Sequence, residues 1–334
     1  MKVAFLSQAN HPLEIREFPI PKAKKGEAVI KVQYAALNHR DLWTVLGQYR
    51  GLSQNLVLGS DCSGTVYELG EEVSDLELGQ AVIVNPSLHW GDSEKVQGKD
   101  FQILGNPDPG TFSEFVLVPA ENVFPKPHHL SMEEAAALPL AGLTAFRALF
   151  TKGQLKIGDK VLITGIGGGA AQMALQMALA FGTDTYISSS HSHKINHAVE
   201  MGARGGFLYN SENWVPDVLN QVPEGFDLII DSAGGKTFSD LIELCSPGGK
   251  LVFFGGTAGS IGPLVPAKVF WRQLSILGTT MGSPREFASM IQYYEEKKIK
   301  PVLDSIFPLE EINQALEKMK SGRQTGKILI KINP

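Results

Sequence analysis

The chain has 334 residues, 43% of them hydrophobic and 19% charged, which is enough apolar material for a sizeable core and a length that favours two domains. The formal net charge of -5 excludes the strongly basic class of proteins, so we expect no nucleic acid and no anionic membrane as partner. Two cysteines exclude a disulfide framework, and no signal peptide or stretch of roughly 18 apolar residues is found, so we expect a cytoplasmic protein.

The first 125 residues are predicted to be mostly β-strand. Short runs of β-forming residues alternate with Gly and Pro there, at 2–6, 13–18, 27–34, 64–69, 80–84 and 112–118. One short helix is predicted at 38–46, and a second begins at Ser131, whose hydroxyl can cap free N–H groups. This pattern favours a β-rich first domain.

From residue 160 onward, strands and helices alternate. The predicted strands lie at 160–165, 185–189, 207–209, 227–231, 250–255 and 275–281, and the predicted helices between them at 170–181, 194–201, 214–221 and 238–244. Such alternation is typical of a doubly wound parallel sheet. Helices at 284–297 and 309–320 and a strand at 327–332 follow. We therefore predict one domain from residues 1–125 and 284–334, and a second from 126–283.

A glycine-rich segment lies between the first strand and the first helix of this second domain. Its small residues are Gly165, Gly167, Gly168, Gly169, Ala170 and Ala171. A strand, a tight turn and a helix in this order are typical of a dinucleotide site, because the helix N–H groups face the pyrophosphate. The alternative is a glycine-rich turn that binds no ligand.

The end of the second strand indicates which dinucleotide binds. A carboxylate about 20 residues after the glycines would bind the ribose of NAD, but residues 185–199 contain neither Asp nor Glu. The polar residues there are instead Ser188, Ser189, Ser190, His191, His193 and Lys194. Hydroxyls and a cation suit the 2′-phosphate of NADPH, and Tyr209 could add a phenolic donor. A polar loop without a ligand is the alternative, and the histidines lack the companions of a metal site.

Four segments resemble the medium-chain dehydrogenase/reductase superfamily, and are most similar to its quinone oxidoreductase branch. They are the run 59–66, the run 138–145, Asp231-Ser232-Ala233-Gly234-Gly235 and Gly326-Lys327. The resemblance covers the whole chain and implies a GroES-like β-rich catalytic domain plus a Rossmann domain. It implies cofactor contacts from Thr144, Ala233 and Lys327. The carboxyl edge of the fifth strand adds Gly255, Gly256 and Thr257.

The same resemblance indicates that the catalytic zinc of related alcohol dehydrogenases lacks its ligands. Asn38 and Ser60 stand at the cysteine and histidine positions, and Asp61 alone cannot hold zinc. No cysteine lies in the loop of residues 87–109, which either keeps the zinc lobe without its metal or lines the substrate cleft. We predict no metal.

Without a Lewis acid, reduction of an activated acceptor is easier than alcohol oxidation. We predict NADPH-dependent hydride transfer to a quinone or α,β-unsaturated carbonyl, with Asn38, Asp41 and Tyr49 as catalytic candidates by resemblance. Asn38 and Tyr49 are expected to donate hydrogen bonds, and Asp41 to orient its neighbours. Each of the three has a structural role as its alternative.

Three further interpretations concern partners and other functions. The strand at 275–281 could pair with its copy in a homodimer. A second enzymatic hypothesis is an alcohol or aldehyde oxidoreductase that binds zinc through unusual ligands such as His39, Asp61 or His89. The third hypothesis is a non-enzymatic protein that binds NADPH.

Overall fold

The computed structural model describes residues 1–49, 51 and 54–333. It divides into two compact units, Met1–Leu143 with Gly282–Pro334 (the β-rich unit) and Thr144–Met281 (the Rossmann unit). The division falls 18 residues after the predicted boundary at 125, because residues up to 143 are bonded to the β-rich unit: the Ser63 hydroxyl donates to the carbonyl of Met132. None of the helices in the described ranges combines the length and apolar character needed to cross a bilayer.

The N-terminal part of the β-rich unit is a set of short, mainly antiparallel strands. In the described residues before 126 these are β1 (Lys2–Leu6), β2 (Glu14–Glu17), β3 (Glu27–Ala36), β4 (Leu56–Val57), β5 (Asp61–Leu69), β6 (Ala81–Val84), β7 (Ser87–Leu88), β8 (Gln102–Ile103), β9 (Phe115–Pro119) and β10 (Val123–Pro125). Strand β3 is central, since it pairs with both β5 and β9. Its apolar side chains, among them Ile30 and Val32, are fully buried in the core of this unit.

The helices among the described residues here are α1 (His39–Val45) and α2 (Met132–Ala137). Helix α3 (Pro139–Phe146) begins in the β-rich unit, ends in the Rossmann unit and continues as a π-helical segment Arg147–Lys152. Helix α1 follows β3 directly, and Ala36 at the end of β3 pairs with Asp61 at the start of β5. Ser131 caps α2 as predicted, because its hydroxyl accepts the N–H of Glu134. The connection from β3 to α1 therefore lies beside the first residue of β5.

The Rossmann unit is a six-stranded parallel sheet over its described residues, in the order β13-β12-β11-β14-β15-β16. The strands are β11 (Lys160–Ile163), β12 (Asp184–Ser189), β13 (Gly205–Leu208), β14 (Phe226–Asp231), β15 (Cys245–Phe253) and β16 (Ser275–Gly278), and the helices are α4 (Gly169–Phe181), α5 (Ser192–Glu200), α6 (Trp214–Gln221), α7 (Phe238–Leu244) and α8 (Pro266–Phe270). The strand order reverses at β11 and β14, which is where ligands bind in such sheets. The predicted fold class is confirmed.

The C-terminal segment returns to the β-rich unit. It consists of α9 (Pro284–Lys297), β17 (Leu303–Pro308), α10 (Ile312–Lys320) and β18 (Lys327–Lys331). Strand β18 pairs antiparallel with β3, with Leu329 opposite Ala36. This register places Lys327, the first residue of β18, next to the end of β3 and the start of α1.

Candidate functional site

A buried network of polar side chains lies where β3, β5 and β18 meet in the β-rich unit. The Lys327 ammonium donates to the carbonyl of Leu37 at 2.8 Å, to Asn38 Oδ1 at 2.7 Å and to Asp61 Oδ2 at 2.9 Å. Asn38 Nδ2 donates to the same Asp61 oxygen at 2.9 Å, and the Leu140 N–H donates to the other at 2.7 Å. The Asp61 side chain is fully buried, so its charge depends on these partners.

Lys327 has no donor left for a cofactor. An ammonium has three N–H groups, and all three have acceptors inside the β-rich unit. The prediction of Lys327 as a cofactor contact is therefore corrected: it orients the Asn38 amide and neutralises Asp61. With Asn38 Oδ1 taken by Lys327 and one Nδ2 hydrogen by Asp61, Asn38 keeps one N–H to donate.

Asp41 sits on the first turn of α1 and stabilises its start. Its carboxylate accepts the Asn38 N–H at 2.8 Å, and its own N–H donates to the carbonyl of Asn38 at 2.9 Å. Burial raises the pKa of Asp41 to about 6, while the positive charge of Arg40 opposes the shift. Burial also lowers the pKa of His39, and Lys327 adds to that effect. Asp41 therefore bonds the backbone at the start of α1 in both directions, and its pKa is raised toward neutral pH.

Arg40, the residue before Asp41, forms a second buried group of hydrogen bonds. Its Nη1 donates to Ser60 Oγ at 2.5 Å and to the carbonyl of Leu104 at 2.8 Å, and Ser60 Oγ donates to the same carbonyl at 2.7 Å. The guanidinium carbon lies 5.1 Å from the centre of the Tyr49 ring, close enough for a cation–π contact. Tyr49, a catalytic candidate, is half-buried there.

These contacts bear directly on zinc binding. Asn38, at the position of the cysteine ligand, accepts a hydrogen bond from the Lys327 ammonium through its side-chain oxygen. Ser60, at the position of the histidine ligand, accepts one from the Arg40 guanidinium through its hydroxyl. A dication would have to displace both cations and bind amide and hydroxyl oxygens, which are poor zinc ligands. Among the described residues, no three of the types His, Cys, Asp and Glu are grouped to hold a metal. The donor set does not fit a catalytic zinc.

The glycine turn of the Rossmann unit connects β11 to α4. Gly165 has a φ of 63°, and the Gly168 N–H donates to its carbonyl at 3.0 Å. The Ile166 N–H bonds the carbonyl of Ser188 at 3.1 Å, which ties the turn to β12. Helix α4 begins at Gly169 with glycine as its N-cap, so no side chain there competes for the first N–H groups. Those N–H groups suit a phosphate.

A buried cation lies against this turn. Lys194 is 5% exposed, and a Cβ added to Gly167 would lie 2.6 Å from its Nζ. Gly167 thus leaves room for the ammonium beside the turn. Lys194 was predicted for a 2′-phosphate; the structure places its charge at the glycines themselves. A turn with an uncapped helix terminus and an adjacent cation fits the phosphates of a dinucleotide.

The residues at the end of β12 and just after it divide into buried and accessible groups. Ser188 is 1% exposed and its hydroxyl has no partner among the described residues, so its assignment to the phosphate is corrected to an interior position. Ser189 Oγ accepts the His191 N–H at 3.1 Å. Ser190 Oγ lies 2.8 Å from His191 Nδ1. Of the three serines, Ser188 and Ser189 are buried and Ser190 is half-buried. Tyr209, which directly follows β13, is half-buried as well.

The remaining predicted cofactor residues follow the carboxyl ends of β14 and β15. Asp231 accepts the Thr164 hydroxyl at 2.5 Å and the Gly234 N–H at 2.7 Å, which shapes the loop that contains Ala233. Strand β15 ends at Phe253, and Gly255, Gly256 and Thr257 come after it. A Cβ at Gly255 would lie 2.0 Å from the Ser232 carbonyl oxygen, so glycine is needed there, while Gly256 and Thr257 are exposed. Thr144 is buried, with its hydroxyl 4.0 Å from the Met281 sulfur.

Sequence reasoning missed Arg40. It lies in the polar run from Asn38 to Asp41, but its partners Ser60 and Leu104 are 20 and 64 residues away. An arginine on the first turn of a short helix is ordinarily exposed, so no local signal marked it. The available hint was the loss of both zinc ligands, which leaves buried oxygen atoms in need of donors.

Comparison with known proteins agrees with this architecture. The model of the alcohol dehydrogenase GroES-like domain matches residues 24–128, and that of the zinc-binding dehydrogenase family matches 201–330. A zinc-type alcohol dehydrogenase-like protein, YogA of Leptosphaeria maculans, is 35% identical over 97% of this chain and 96% of its own. The crystal structure of an NAD-dependent alcohol dehydrogenase, 33% identical, superposes with a TM-score of 0.94 and covers both chains completely.

A third similar protein bears on the metal. The cobalt- and zinc-bound alcohol dehydrogenase of Pyrobaculum aerophilum is 26% identical, with a TM-score of 0.89 and 99% coverage of each chain. The present chain shares that fold and differs from a zinc site in the chemistry of Asn38 and Ser60. Its fold, its glycine turn and its whole-length similarity show that the chain belongs to the medium-chain dehydrogenase/reductase superfamily of oxidoreductases.

Proposed function

We propose that this protein is an NADPH-dependent reductase that transfers hydride to a quinone or an α,β-unsaturated carbonyl without a catalytic zinc. The observation that carries the proposal is that a cation is hydrogen-bonded to each residue at a zinc-ligand position: Lys327 donates to Asn38, and Arg40 donates to Ser60. An acceptor of this class develops its negative charge on a remote oxygen, which hydrogen-bond donors can stabilise. It therefore needs no Lewis acid at the reacting carbon.

The polar network supplies the donors. The free N–H of Asn38 is oriented because both its oxygen and its other N–H are held by charged groups, and an oriented donor loses no energy to reorganisation when charge develops. Tyr49 is proposed to donate its hydroxyl to the acceptor oxygen and to deliver the proton. Asp41 fixes the start of α1. The nicotinamide, when bound, supplies the hydride.

The proposed cofactor preference depends on the end of β12. With no carboxylate there, and with the Ser190 hydroxyl and the His191 ring in the same segment, a 2′-phosphate meets hydrogen-bonding groups instead of a repelling charge. Some relatives are named as NAD-dependent, so the preference needs its own test. We expect at least roughly tenfold tighter binding of NADPH than of NADH, and loss of that preference in Ser190→Asp.

The test of the activity is NADPH oxidation by the purified protein with a panel of quinones and enones, after treatment with a chelator. We expect turnover that the chelator leaves unchanged, and a large loss of kcat in Asn38→Ala and Tyr49→Phe. Turnover of an alcohol that is restored by zinc would contradict the proposal. Tight NADPH binding without any acceptor reduced would favour the non-enzymatic hypothesis instead.

A homodimer is also proposed. Strand β16 ends the parallel sheet and pairs only with β15 among the described strands, and the side chains of Phe270 and Trp271 just before it are 60% and 79% exposed. An unpaired edge beside exposed aromatic side chains is suited to pairing with a second copy. Size exclusion with light scattering is expected to show twice the 36.2 kDa chain mass, and a single 36.2 kDa species would contradict it.

A further inference from the structure

The loop of residues 87–109 is held by contacts within the protein. Its own interior is an aromatic pair, Trp90 and Phe101, whose ring centres are 5.4 Å apart, and Trp90 is 2% exposed. Its returning end lies against the start of β5: a Cβ at Gly105 would be 2.6 Å from the Gly59 oxygen. The loop therefore packs on the backbone just before Ser60.

The side chain of Arg40 joins the contact between the loop and β5 to helix α1. Arg40 reaches from α1 to Ser60 and to the carbonyl of Leu104 through Nη1, and its Nη2 lies 3.5 Å from the carbonyl of Ile103. The residue is 8% exposed, so these bonds form away from water, where each counts for more than at the surface. Three chain segments thus meet at a single guanidinium.

The same guanidinium supports Tyr49. The guanidinium carbon lies 5.1 Å from the centre of the phenol ring; Arg40 is in the first turn of α1, and Tyr49 lies after its end. The backbone carbonyl of Gly51 is bonded to the loop as well, since Asn106 Nδ2 donates to it at 3.3 Å. Displacement of Arg40 would therefore loosen residues 102–106 and the Tyr49 ring together.

We propose that Arg40 is a positioning residue, which clamps the loop of residues 87–109 onto Ser60 and holds the Tyr49 ring for the reaction. The inference rests on the proposed function, because it assigns Arg40 a role that is exerted through Tyr49. It also accounts for how the loop is held: the cation between Ser60 and Leu104 fastens it to the start of β5. Lysine can replace only part of this, because it carries one ammonium instead of a planar fork.

The experiment compares Arg40→Gln and Arg40→Lys with Arg16→Gln. Arg16 is a matched control, since its guanidinium also stacks on an aromatic ring of the β-rich unit, that of Phe5 at 4.2 Å, but it is exposed and bonded to Glu14. Hydrogen exchange at residues 102–106 is measured without substrate. We expect faster exchange by tenfold or more in Arg40→Gln, an intermediate rate in Arg40→Lys and no change in Arg16→Gln, with NADPH binding within twofold of wild type in all three.

The kinetic arm is a double-mutant cycle with Tyr49→Phe. We expect Arg40→Gln to lower kcat about tenfold in the wild-type background and less than twofold in the Tyr49→Phe background, because Arg40 acts through the phenol. Equal losses in both backgrounds, or unchanged exchange at residues 102–106, would overturn the proposal. If the wild-type protein reduces no acceptor, the proposed function fails on its own, and the exchange data still decide whether Arg40 holds the loop.

Discussion

The polar network of the β-rich unit and the glycine turn of the Rossmann unit are built in opposite ways. The turn is local: Gly165 to Gly169 lie within one connection, and most of its bonds are between backbone groups. The network is assembled from side chains on β18, β5 and the start of α1, with Lys327 bonded to Leu37, which is 290 residues earlier. The turn depends on backbone shape, whereas the network depends on paired charges.

The two regions should therefore respond differently to substitution. Removing a side chain from the network leaves a buried charge without its partner, which costs free energy of folding. Adding a methyl group to the turn leaves the fold intact but alters the surface that a phosphate meets. We therefore expect substitutions in the network to change stability and substitutions in the turn to change ligand binding.

Lys327→Met is expected to have the largest effect. It leaves the Asp61 carboxylate fully buried with two neutral N–H donors and no counter-charge. Breaking a buried pair in this way typically costs about 3–5 kcal/mol. We expect a loss of that size in the free energy of unfolding of the β-rich unit, measured by urea titration.

Two variants make the Lys327 result specific. Lys327→Met combined with Asp61→Asn removes both charges and should recover part of the lost stability. Lys320→Met breaks an ion pair with Glu317 at the surface, where the two side chains are 52% and 73% exposed. We expect no measurable change in the free energy of unfolding for this variant. Equal stability of the Lys327 variant and the wild type would show that the network carries no energetic weight.

Local features of this protein could be predicted from the sequence, and contacts between residues far apart in the chain could not. The bounds of α6, α7 and α9 agree with the sequence prediction residue for residue, since apolar periodicity and caps are local signals. The glycine turn was recognisable for the same reason. The use of Lys327 and Arg40 was not, because it requires the pairing of β18 with β3 and the return of the loop to Ser60. Nor could the sequence show that Ser188 points inward while Ser190 does not.

A pH effect comes next in size. The pKa of Asp41 is raised from 3.8 to about 6, mainly by burial. The charge of Asp61 adds to this rise, and the charges of Arg40 and Lys327 oppose it. Between pH 4 and 6 the folded chain keeps a proton that the unfolded chain has released, so stability falls as pH rises through this window. Asp41→Asn removes the titration. The difference in unfolding free energy between variant and wild type should shift by up to about 3 kcal/mol in favour of the variant from pH 4 to 6.

The measurement for Asp41 is a series of denaturant titrations at half-unit steps of pH. Only the change of the difference with pH is used, because the lost bond from the Asn38 N–H affects the variant at every pH. Asp75→Asn, an exposed aspartate of the same unit, serves as the matched control and is expected to follow the wild-type profile. A constant difference between the Asp41 variant and the wild type would contradict the raised pKa.

Gly167→Ala should have the smallest effect on folding and a selective one on binding. Its φ lies outside the left-handed region, so alanine fits the backbone, but the new methyl would lie 2.6 Å from Lys194 Nζ and must displace that flexible end. We expect stability within about 0.5 kcal/mol of wild type. The Kd for NADPH and for NADH should each rise about fivefold, roughly 1 kcal/mol, because the turn serves the pyrophosphate that both share.

Gly262→Ala, at an open position in the same unit, is the control and should change neither the stability nor the two Kd values. Isothermal titration with both dinucleotides measures the affinities. Unchanged affinity in Gly167→Ala would mean that the cation beside the turn does not serve a phosphate.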